Sequence, residues 1–464
     1  MPSTLPLVAR CVERSRAREG PMDPPLQEVA SDAALPARVD VAVIGGGIIG
    51  AAAAYSLARR GAAVALLEKG RIGAEQSSRN WGWCRQQNRD RRELPLIGHS
   101  MRLWEGLAAE TGADLGFRRT GLLYVTRSAE ELATWEAWVA MAATFQTGSR
   151  MLSAAEARAM APASGGDWIG GVHSPRDGRA EPAFAAPVLA EAARRAGASV
   201  HQDCAVRGLD LIGGRVGGVI TERGRIAAGT VLCAGGAWAS MFCRRHGIAL
   251  PQAGVRSTIF ITAPAPEVTP GGLVTPDLII GRRLDGGYTV AALNRARLEI
   301  TPQGLRYARA FLPTFRARRA SLTVGIGRSA IAGPEAIHGR WSFSSPSPFE
   351  RHRVFAPPPD MAIVAPAMAR LGRAFPALRG AVVARAWGGW IDSMPDGIPV
   401  ISTVERLPGL FLATGFSGHG FGIGPGAGDL AAAMILGRTP AVDPAPFRYG
   451  RLVDGSDLGR PGMM

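Results

Sequence analysis

The stretch VDVAVIGGGIIGAAAAYSLARRGAAVALLEKG, residues 39–70, decides the fold of this chain. Its nearly continuous apolar run at 39–44 predicts a buried parallel strand. The alanine-rich run 48–60 predicts a helix that ends at Gly61, and residues 63–67 predict a second strand. A strand, a helix and a strand within about 30 residues make a βαβ unit. The sequence therefore predicts an α/β fold built on a parallel sheet.

The turn between the first strand and the helix has the glycine spacing GxGxxG. Gly45 permits the tight turn, Gly47 lets a pyrophosphate approach the backbone, and Gly50 lets the helix and the strand pack closely. The amides of Ile48 and Ile49 open the helix, where free N–H groups and the positive end of the dipole favour an anion. The turn therefore predicts a dinucleotide site.

Glu68 supplies the acidic partner that such a site requires. It follows the second strand, about 20 residues after the glycines, where a carboxylate accepts hydrogen bonds from ribose hydroxyls. The same carboxylate would repel the 2′-phosphate of NADP. The loop by itself does not distinguish FAD from NAD.

The strong basic charge of the chain does not by itself indicate a nucleic-acid partner. The formal net charge is +15, and it comes almost entirely from arginine, because Lys69 is the only lysine. No dense basic run with interleaved aromatic residues is present. We therefore expect no specific nucleic-acid binding.

The number and spacing of the cysteines indicate the redox compartment and argue against a metal site. The five cysteines are Cys11, Cys84, Cys204, Cys233 and Cys243. Their number is odd and no CxxC pair occurs, so neither a disulfide framework nor a zinc or iron–sulfur site is expected. A cytoplasmic location follows, with peripheral attachment to an inner membrane as an alternative. The uncharged run 41–58 is explained by its phosphate-loop glycines, so no transmembrane segment is expected.

The remaining sequence predicts a second, antiparallel sheet. Short β-like runs and proline-rich loops follow residue 255. After residue 375 the glycine- and alanine-rich strand and helix patterns of the N-terminal region return. The predicted FAD-binding domain is therefore discontinuous, and so is the predicted substrate domain. The predicted ranges are 1–38 for a disordered N-terminal extension, 39–92, 165–254 and 375–440 for the FAD-binding domain, 93–164 and 255–374 for the substrate domain, and 441–464 for a C-terminal tail.

Four further segments carry a resemblance to a known family. They are SSRNWGWCR (77–85), VLCAGGAWAS (231–240), MPDGIPVI (394–401) and GLFLATGFSGHGFGIGPGAGDLAAAMI (409–435). With the N-terminal βαβ unit they resemble the D-amino acid oxidase-like superfamily of FAD enzymes, which includes glycine oxidase, sarcosine oxidase and D-hydroxyproline dehydrogenase-type proteins. The resemblance implies a Rossmann-like FAD-binding domain with an antiparallel substrate domain.

The resemblance also implies a set of cofactor-binding residues. Val206 would lie against the adenine, Ser77 and Ser78 near the pyrophosphate and ribityl chain, and Lys69 beside the adenosine ribose. The loop from Gly415 to Gly422 would wrap the flavin. The remaining residues assigned to the cofactor are Arg79, Asn80, Ala234, Gly235, Gly418, His419, Gly420 and Phe421.

The implied reaction is the removal of hydride from the carbon next to a neutral amine nitrogen, with transfer to flavin N5. Two departures from the family refine it. Gly389 stands where some members carry a cysteine that links the flavin, so non-covalent FAD is expected. With Lys69 placed at the ribose, no lysine remains to activate oxygen near the flavin. We therefore expect a dehydrogenase that passes electrons to a quinone, a carrier protein or a partner subunit, with O2 as the alternative acceptor.

Recognition of the substrate carboxylate is the least determined part of the site. Ile391 stands where relatives have an arginine, and Arg85 is the best replacement because a guanidinium suits a carboxylate. A structural salt bridge or a phosphate contact remains the alternative for Arg85. Asp392 either holds a substrate ammonium or caps a turn, with the turn favoured. His419 either faces the flavin and the substrate or is a structural histidine.

Aromatic residues are candidates for the substrate pocket. Trp390 and Tyr288 are assigned to its walls, together with Trp81, Trp83 and Trp387, although buried tryptophans more often belong to a core. The predicted substrate is a small D-, cyclic or N-methyl amino acid. A tRNA-modifying flavoprotein and a flavin subunit of a heteromeric amine dehydrogenase are the competing interpretations.

Overall fold

The computed structural model describes residues 23–162, 164–293, 296–336 and 341–459. The strands are β1 (Arg38–Ile44), β2 (Val64–Leu67), β3 (Trp83–Cys84), β4 (Leu122–Thr126), β5 (Arg150–Ser153), β6 (Gly170–Ser174), β7 (Gly178–Arg179), β8 (Ser199–His201), β9 (Val206–Ile212), β10 (Arg215–Thr221), β11 (Gly224–Cys233), β12 (Ala253–Thr262), β13 (Gly272–Val274), β14 (Leu278–Arg282), β15 (Tyr288–Ala292), β16 (Ala296–Glu299), β17 (Leu322–Gly325), β18 (Val383–Ser393), β19 (Val400–Thr403) and β20 (Leu410–Thr414). The α-helices are α1 (Ile48–Arg59), α2 (Leu94–Thr111), α3 (Ala129–Ala143), α4 (Ala154–Met160), α5 (Ala185–Arg195), α6 (Ala239–Arg245), α7 (Pro302–Arg306), α8 (Ala308–Arg318), α9 (Pro348–Arg351), α10 (Met361–Ala374) and α11 (Gly420–Ile435).

The first sheet contains the parallel strands that the sequence predicts. Its order is β19-β20-β11-β1-β2-β8, with β10 and β9 attached to β11 as an antiparallel extension. Strand β1 lies in the centre, where Val41 pairs with Thr230 on one side and with Val64 on the other. Because the central strand is covered on both sides, its side chains are nearly all apolar. The predicted α/β fold class with a Rossmann-like domain is confirmed.

Small residues let the helices pack tightly on this sheet. Helix α1 contains a run of four buried alanines, and α11 lies directly against it. A Cβ on Gly428 of α11 would lie 2.5 Å from Ala53 N, and a Cβ on Gly50 would lie 1.9 Å from Gly45 O. Only glycine fits at either position. The glycine-rich C-terminal segment therefore packs beside the N-terminal βαβ unit.

The second sheet has ten strands and is mainly antiparallel. Its longest pairing joins β12 to β18, from Ala253 opposite Ser393 to Thr262 opposite Val383. Strands β6 and β18 belong to this sheet, although the predicted boundaries place their residues in the FAD-binding domain. Strand β6 joins β4 and β5, and β18 follows β12 along its whole length. Such long-range pairings are not visible in local sequence patterns.

Part of the predicted N-terminal extension lies on the body of the protein. Leu26 is buried, Gln27 N donates to Ala183 O at 3.0 Å, and Asp32 N donates to Val200 O at 2.7 Å. Residues 23–37 therefore follow the surface as ordered chain in this structure, and the prediction of disorder for residues 1–22 lies outside the described residues. In the predicted C-terminal tail, Arg451 is buried and pairs with Asp396 at 3.0 Å.

Two further properties concern the part of the chain that the structure describes. No helix there is both long and apolar enough to cross a membrane. No group of three or more His, Cys, Asp or Glu side chains is arranged to hold a metal ion within those residues.

Gly428→Val should destabilise the fold, because the added side chain would overlap the backbone of α1. Overpacking of this kind costs about 1–3 kcal/mol, and more when backbone must move. Urea unfolding followed by circular dichroism measures the loss. Gly229→Ala is the matched control, since a Cβ there has nothing within 4 Å. Equal stability of both variants would show that α1 and α11 are not packed as described.

Candidate functional site

A large cavity lies where the two sheets meet, at the carboxyl ends of the parallel strands. Its volume is about 860 Å³. The last residues of three parallel strands line it, namely Ile44 of β1, Leu67 of β2 and Cys233 of β11. Ligands of open α/β sheets bind at this edge.

The predicted dinucleotide loop forms one end of the cavity. Gly45, Gly47, Ile48 and Ile49 line it, and Ile48 N donates to Ser77 Oγ at 2.9 Å. A Cβ on Gly47 would lie 3.2 Å from that same hydroxyl oxygen, so glycine keeps the space open. The first turn of α1 carries no acidic residue. A glycine-lined helix N-terminus of this kind fits a pyrophosphate.

Glu68 lies beside this loop, as the sequence predicts. Its carboxylate accepts hydrogen bonds from Gly46 N at 2.7 Å and from Gly70 N at 2.8 Å, and it lines the cavity. Burial raises the pKa of Glu68, while the Lys69 charge and the two amides oppose the rise. The two amide contacts fix the carboxylate at the position from which it can accept ribose hydroxyls.

Lys69 lines the same end of the cavity, but all three of its protons are engaged. Nζ pairs with Glu75 at 2.5 Å and donates to the carbonyl oxygens of His352 at 2.7 Å and Arg353 at 3.0 Å. It also lies 4.5 Å from the centre of the Trp238 ring. The ammonium group is therefore fixed in this part of the cavity wall.

Three neighbouring residues assigned to the cofactor make structural bonds. Arg79 donates to Ala74 O, to Gly388 O and to the Asp23 carboxylate, so its guanidinium joins the N-terminal segment to β18. Asn80 bonds only to nearby backbone, and the Ser78 hydroxyl donates to Glu75 O. Arg79 and Asn80 line the cavity, whereas Ser78 lies outside its wall.

Two other segments line the cavity near the dinucleotide loop. They contain Val206, at the start of β9, and Ala234 and Gly235, which follow β11. Ala234 N donates to Ile44 O at 2.8 Å, which ties this loop to the central strand.

The predicted flavin loop forms another part of the cavity wall, at the N-terminus of α11. Gly418, with a φ of 83°, lines the wall together with His419, Gly420 and Phe421. No acidic residue lies in the first turn of α11, so its dipole favours negative charge there. That is the charge that a reduced isoalloxazine ring carries at its N1 and C2=O edge.

Gly415, Gly422 and Gly50 lie outside the cavity wall and act through packing. Gly415 has a φ of 76°, and its amide donates to Asp392. The carbonyl oxygen of Gly422 accepts from Trp104 Nε1 at 2.8 Å. These glycines therefore determine the backbone path around the site, and neighbouring residues form the cavity wall.

Asp392 is a strand residue of β18, and the favoured turn interpretation is wrong. Its carboxyl group lines the cavity and accepts from Gly415 N at 3.1 Å and from Gln252 Nε2 at 3.1 Å. Burial raises the pKa of Asp392 to about 7. The side chain thus fixes the flavin loop from the second sheet and changes its charge near neutral pH.

Arg85 lines the middle of the cavity and is held by one of its nitrogens. Nη1 donates to Gln87 O at 2.9 Å and to Tyr124 Oη at 3.0 Å. Nε and Nη2 form no hydrogen bond with any residue that the structure describes, and the side chain is 7% exposed. One edge of the guanidinium is therefore fixed and the other is free.

The structure adds residues that the sequence analysis missed. Arg89 is buried and lines the cavity next to Arg85, and burial followed by the Arg85 charge lowers its pKa to about 9. Asn88, between them, has a φ of 59°, a conformation uncommon for a residue with a side chain. The run of polar residues 85–89 between apolar segments was the sequence feature that could have indicated these residues.

His419 is a neutral hydrogen-bonded histidine. Its Nδ1 lies 3.3 Å from the buried Glu93 carboxylate. Burial, with the Arg89 charge second, lowers the pKa of His419 to about 4. The neutral ring therefore donates through Nδ1, and Nε2 keeps a lone pair without a partner among the described residues.

Aromatic side chains form the remaining walls. Trp81, Trp83, Trp135 and Trp390 all line the cavity. The assignment of Tyr288 to the pocket wall is wrong. Its ring is fully buried in the core of the second sheet, where its hydroxyl donates to Pro266 O at 3.0 Å and accepts from Val268 N.

Trp387 also lies outside this cavity. Trp387 and Trp390 are both in β18 but lie in different surroundings. The register of the sheet decides which of them reaches the cavity.

A glycine-lined pyrophosphate site and a second helix N-terminus beside it in one cavity define a flavin-dependent oxidoreductase. The chain belongs to the family described as FAD dependent oxidoreductase (DAO), whose model matches residues 40–434. The expected family and its cofactor FAD are confirmed.

Known proteins across this family are similar to the chain. Glycine oxidase of Geobacillus kaustophilus is 27% identical over 89% of this chain and 97% of its own length. Human mitochondrial sarcosine dehydrogenase is 30% identical, but the match spans 49% of this chain and only 26% of that protein. A solved structure of L-amino acid deaminase from Proteus myxofaciens has a TM-score of 0.88 and 26% identity, covering 93% of this chain and 98% of that one.

Asp392→Asn should change how the flavin potential depends on pH. Because the pKa of Asp392 lies at about 7, the carboxyl group gains its negative charge as the pH rises through neutrality. That charge disfavours reduced flavin, so the midpoint potential of the native protein should fall more between about pH 6 and about pH 8 than that of the variant. Dye-coupled potentiometry measures both. Asp443→Asn, at an exposed site, is the control, and parallel pH curves for native and D392N proteins would contradict the assignment.

Proposed function

We propose that this protein oxidises the CH–NH bond of an amino acid whose carboxylate is held by Arg85. The observation that carries the proposal is the free Nε–Nη2 edge of Arg85 in an aromatic-walled cavity between the dinucleotide loop and the flavin loop. Bound FAD supplies the hydride acceptor. The chain's own residues bind and orient the substrate and control its charge.

Arg85 is suited to a carboxylate because its two free N–H groups are parallel. Nη1 is fixed by Gln87 and Tyr124, so the planar group has one orientation. A bidentate guanidinium–carboxylate pair needs two such donors on one edge. Arg85 can therefore set the position of the substrate α-carbon.

The charges around the cavity favour a neutral substrate amine. Arg85 and Arg89 both line the cavity, whereas the neighbouring Glu93 and Asp177 carboxylates lie behind its wall. Nearby positive charge lowers the pKa of an amine. A neutral amine with its lone pair available is the form from which hydride leaves most readily.

The walls favour an apolar group on the substrate. Trp81, Trp83 and Trp135 offer ring faces and little hydrogen-bonding capacity. A ring or an N-methyl group would bury apolar surface there. We therefore expect cyclic or N-methyl amino acids, and D-amino acids with apolar side chains, to react better than glycine.

A dehydrogenase is favoured over an oxidase. The three protons of Lys69 are engaged at the adenosine side, and His419 is neutral at physiological pH because its pKa is about 4. Neither group can place a mobile cation beside the flavin to stabilise a developing oxygen anion. The proposed acceptor is a quinone, a carrier protein or a partner subunit, and the proposed location is cytoplasmic. Because Gly389 lines the cavity without a side chain to form a link, non-covalent attachment of FAD is part of the proposal.

Anaerobic mixing with a substrate panel tests the function. The panel contains both enantiomers of proline, alanine and phenylalanine, together with hydroxyproline isomers, sarcosine and glycine. Loss of the oxidised flavin absorbance with at least one compound is expected, followed by slow recovery in air and fast recovery with a soluble quinone. If no compound bleaches the flavin, amino acid oxidation is excluded. Rapid recovery in air would show an oxidase.

Arg85→Lys should reduce kcat/KM for the best substrate about ten- to hundredfold, mainly through KM. Lysine keeps the charge but loses the bidentate contact, which is worth about 1.5–3 kcal/mol. Steady-state kinetics measures the change, and the flavin content shows that the site still forms. Arg438→Lys, at an exposed site, should leave the kinetics unchanged. An unaltered KM in R85K would remove Arg85 from the carboxylate site.

A further inference from the structure

The segment 300–331 exposes an unusual concentration of large apolar side chains. It includes α7, α8 and β17. Six of the fourteen exposed large hydrophobic residues among those described fall within it, namely Ile300, Leu305, Leu312, Val324, Ile326 and Ile331. Three of them are 68–79% exposed. Ile300, Leu305 and Leu312 also line the cavity, whereas Val324, Ile326 and Ile331 do not. Exposed apolar side chains concentrated in one segment indicate an interaction surface.

The same segment is strongly cationic. Residues 300–331 contain six arginines and no Asp or Glu. On α8, the exposed residues Arg309, Leu312 and Arg316 are spaced three and four residues apart, so they share one face of the helix. Apolar and cationic side chains therefore alternate on the outer surface.

Part of α8 lines the cavity. Phe311, Leu312 and Phe315 belong to the cavity wall, as do Leu305 of α7 and Leu322 of β17. Arg309 and Arg316 of the same helix are exposed and lie outside that wall. A partner bound to the exposed side of α8 would therefore lie next to the apolar residues of the cavity wall.

We propose that the 300–331 segment rests on the anionic surface of a lipid bilayer. Arginines bind the acidic headgroups while isoleucine and leucine side chains enter the boundary of the acyl region, which is how amphipathic surfaces attach to membranes. The attachment is interfacial, in keeping with the lack of a membrane-crossing helix among the described residues.

Charge complementarity selects this occupant over a second copy of the chain. Two copies joined through this segment would bring their arginines together, because neither contributes an acidic residue from it. The N-terminal residues 1–22 carry Arg10, Arg14, Arg16 and Arg18, so they also offer little complementarity to it. An anionic bilayer offers both negative charge for the arginines and an apolar interior for the isoleucine and leucine side chains.

The bilayer contact deepens the proposed function, on which this step rests. Substrate oxidation leaves two electrons and a proton on the flavin, and a quinone dissolved in the bilayer can take them with one further proton to become a quinol. The apolar wall formed by Phe311, Phe315 and Leu322 provides a surface along which such a ring can approach.

Vesicle co-sedimentation of the full-length FAD-loaded protein tests the surface without depending on activity. The native protein should bind phosphatidylglycerol-containing vesicles and not phosphatidylcholine vesicles, and salt should weaken binding. Reversing two charges in Arg309→Glu/Arg316→Glu should weaken the vesicle affinity about tenfold or more. Ile326→Asp/Ile331→Asp should also weaken it by removing the inserted side chains. None of these four residues lines the cavity.

Matched variants on other surfaces serve as controls. Arg215→Glu/Arg438→Glu makes the same change in net charge, and Ile212→Asp/Val382→Asp replaces exposed apolar residues elsewhere. Both should bind vesicles nearly as the native protein does. Binding lost equally in controls and segment variants would overturn the surface assignment, as would binding to neutral vesicles alone.

Acceptor assays separate this inference from the proposed function. With a water-soluble dye, the segment variants should turn over like the native protein, whereas reduction of a vesicle-embedded long-chain quinone should fall with their vesicle affinity. Turnover absent with every acceptor would reject the amino acid oxidation but leave the vesicle result standing. A native dimer that becomes monomeric in I326D/I331D and does not bind vesicles would show that this face joins two copies, and would overturn the proposal.

Discussion

The close contact between α1 and α11 is the constraint on which the site depends. Glycine and alanine at the contact let two helices from opposite ends of the chain lie side by side with both N-termini at one cavity. Each N-terminus offers a positive dipole, and neither first turn contains an acid. The α1 end would hold the phosphates of bound FAD, and the α11 end would face the flavin edge. A single elongated anionic cofactor therefore satisfies both.

The buried arginines of the cavity are stabilised by nearby carboxylates. Two arginines lie side by side, and the carboxylates of Glu93 and Asp177 lie close to them. Asp177 also accepts the amides of Gln86 and Gln87, which holds the polar segment in its strained path. This arrangement keeps the guanidinium groups charged while leaving one edge of Arg85 free. The cost of burial is offset by the surrounding carboxylates, which substrate binding does not need to displace.

The sequence predicts those features that local spacing determines. The glycines at 45–50 and Glu68 lie where a βαβ unit must place them, since about 30 residues specify the whole turn. Asp392 and Tyr288 could not be placed in this way, because the register of β12 against β18 and of β15 in its sheet decides which side chains reach the cavity. Arg89 and Glu93 escaped notice because neither belongs to a motif. Their importance comes from burial next to His419, which only the tertiary structure shows.

Strand β18 has a mechanical consequence for how the protein can admit a substrate. It is paired with β12 over its full length, and its Asp392 carboxyl group is bonded to Gly415 at the start of the flavin loop. A hinge opening between the two sheets would break that bond and distort the loop that surrounds the cofactor. The contact therefore fixes the loop beside the cofactor site relative to the second sheet, so a substrate must enter without separating the two sheets at this point.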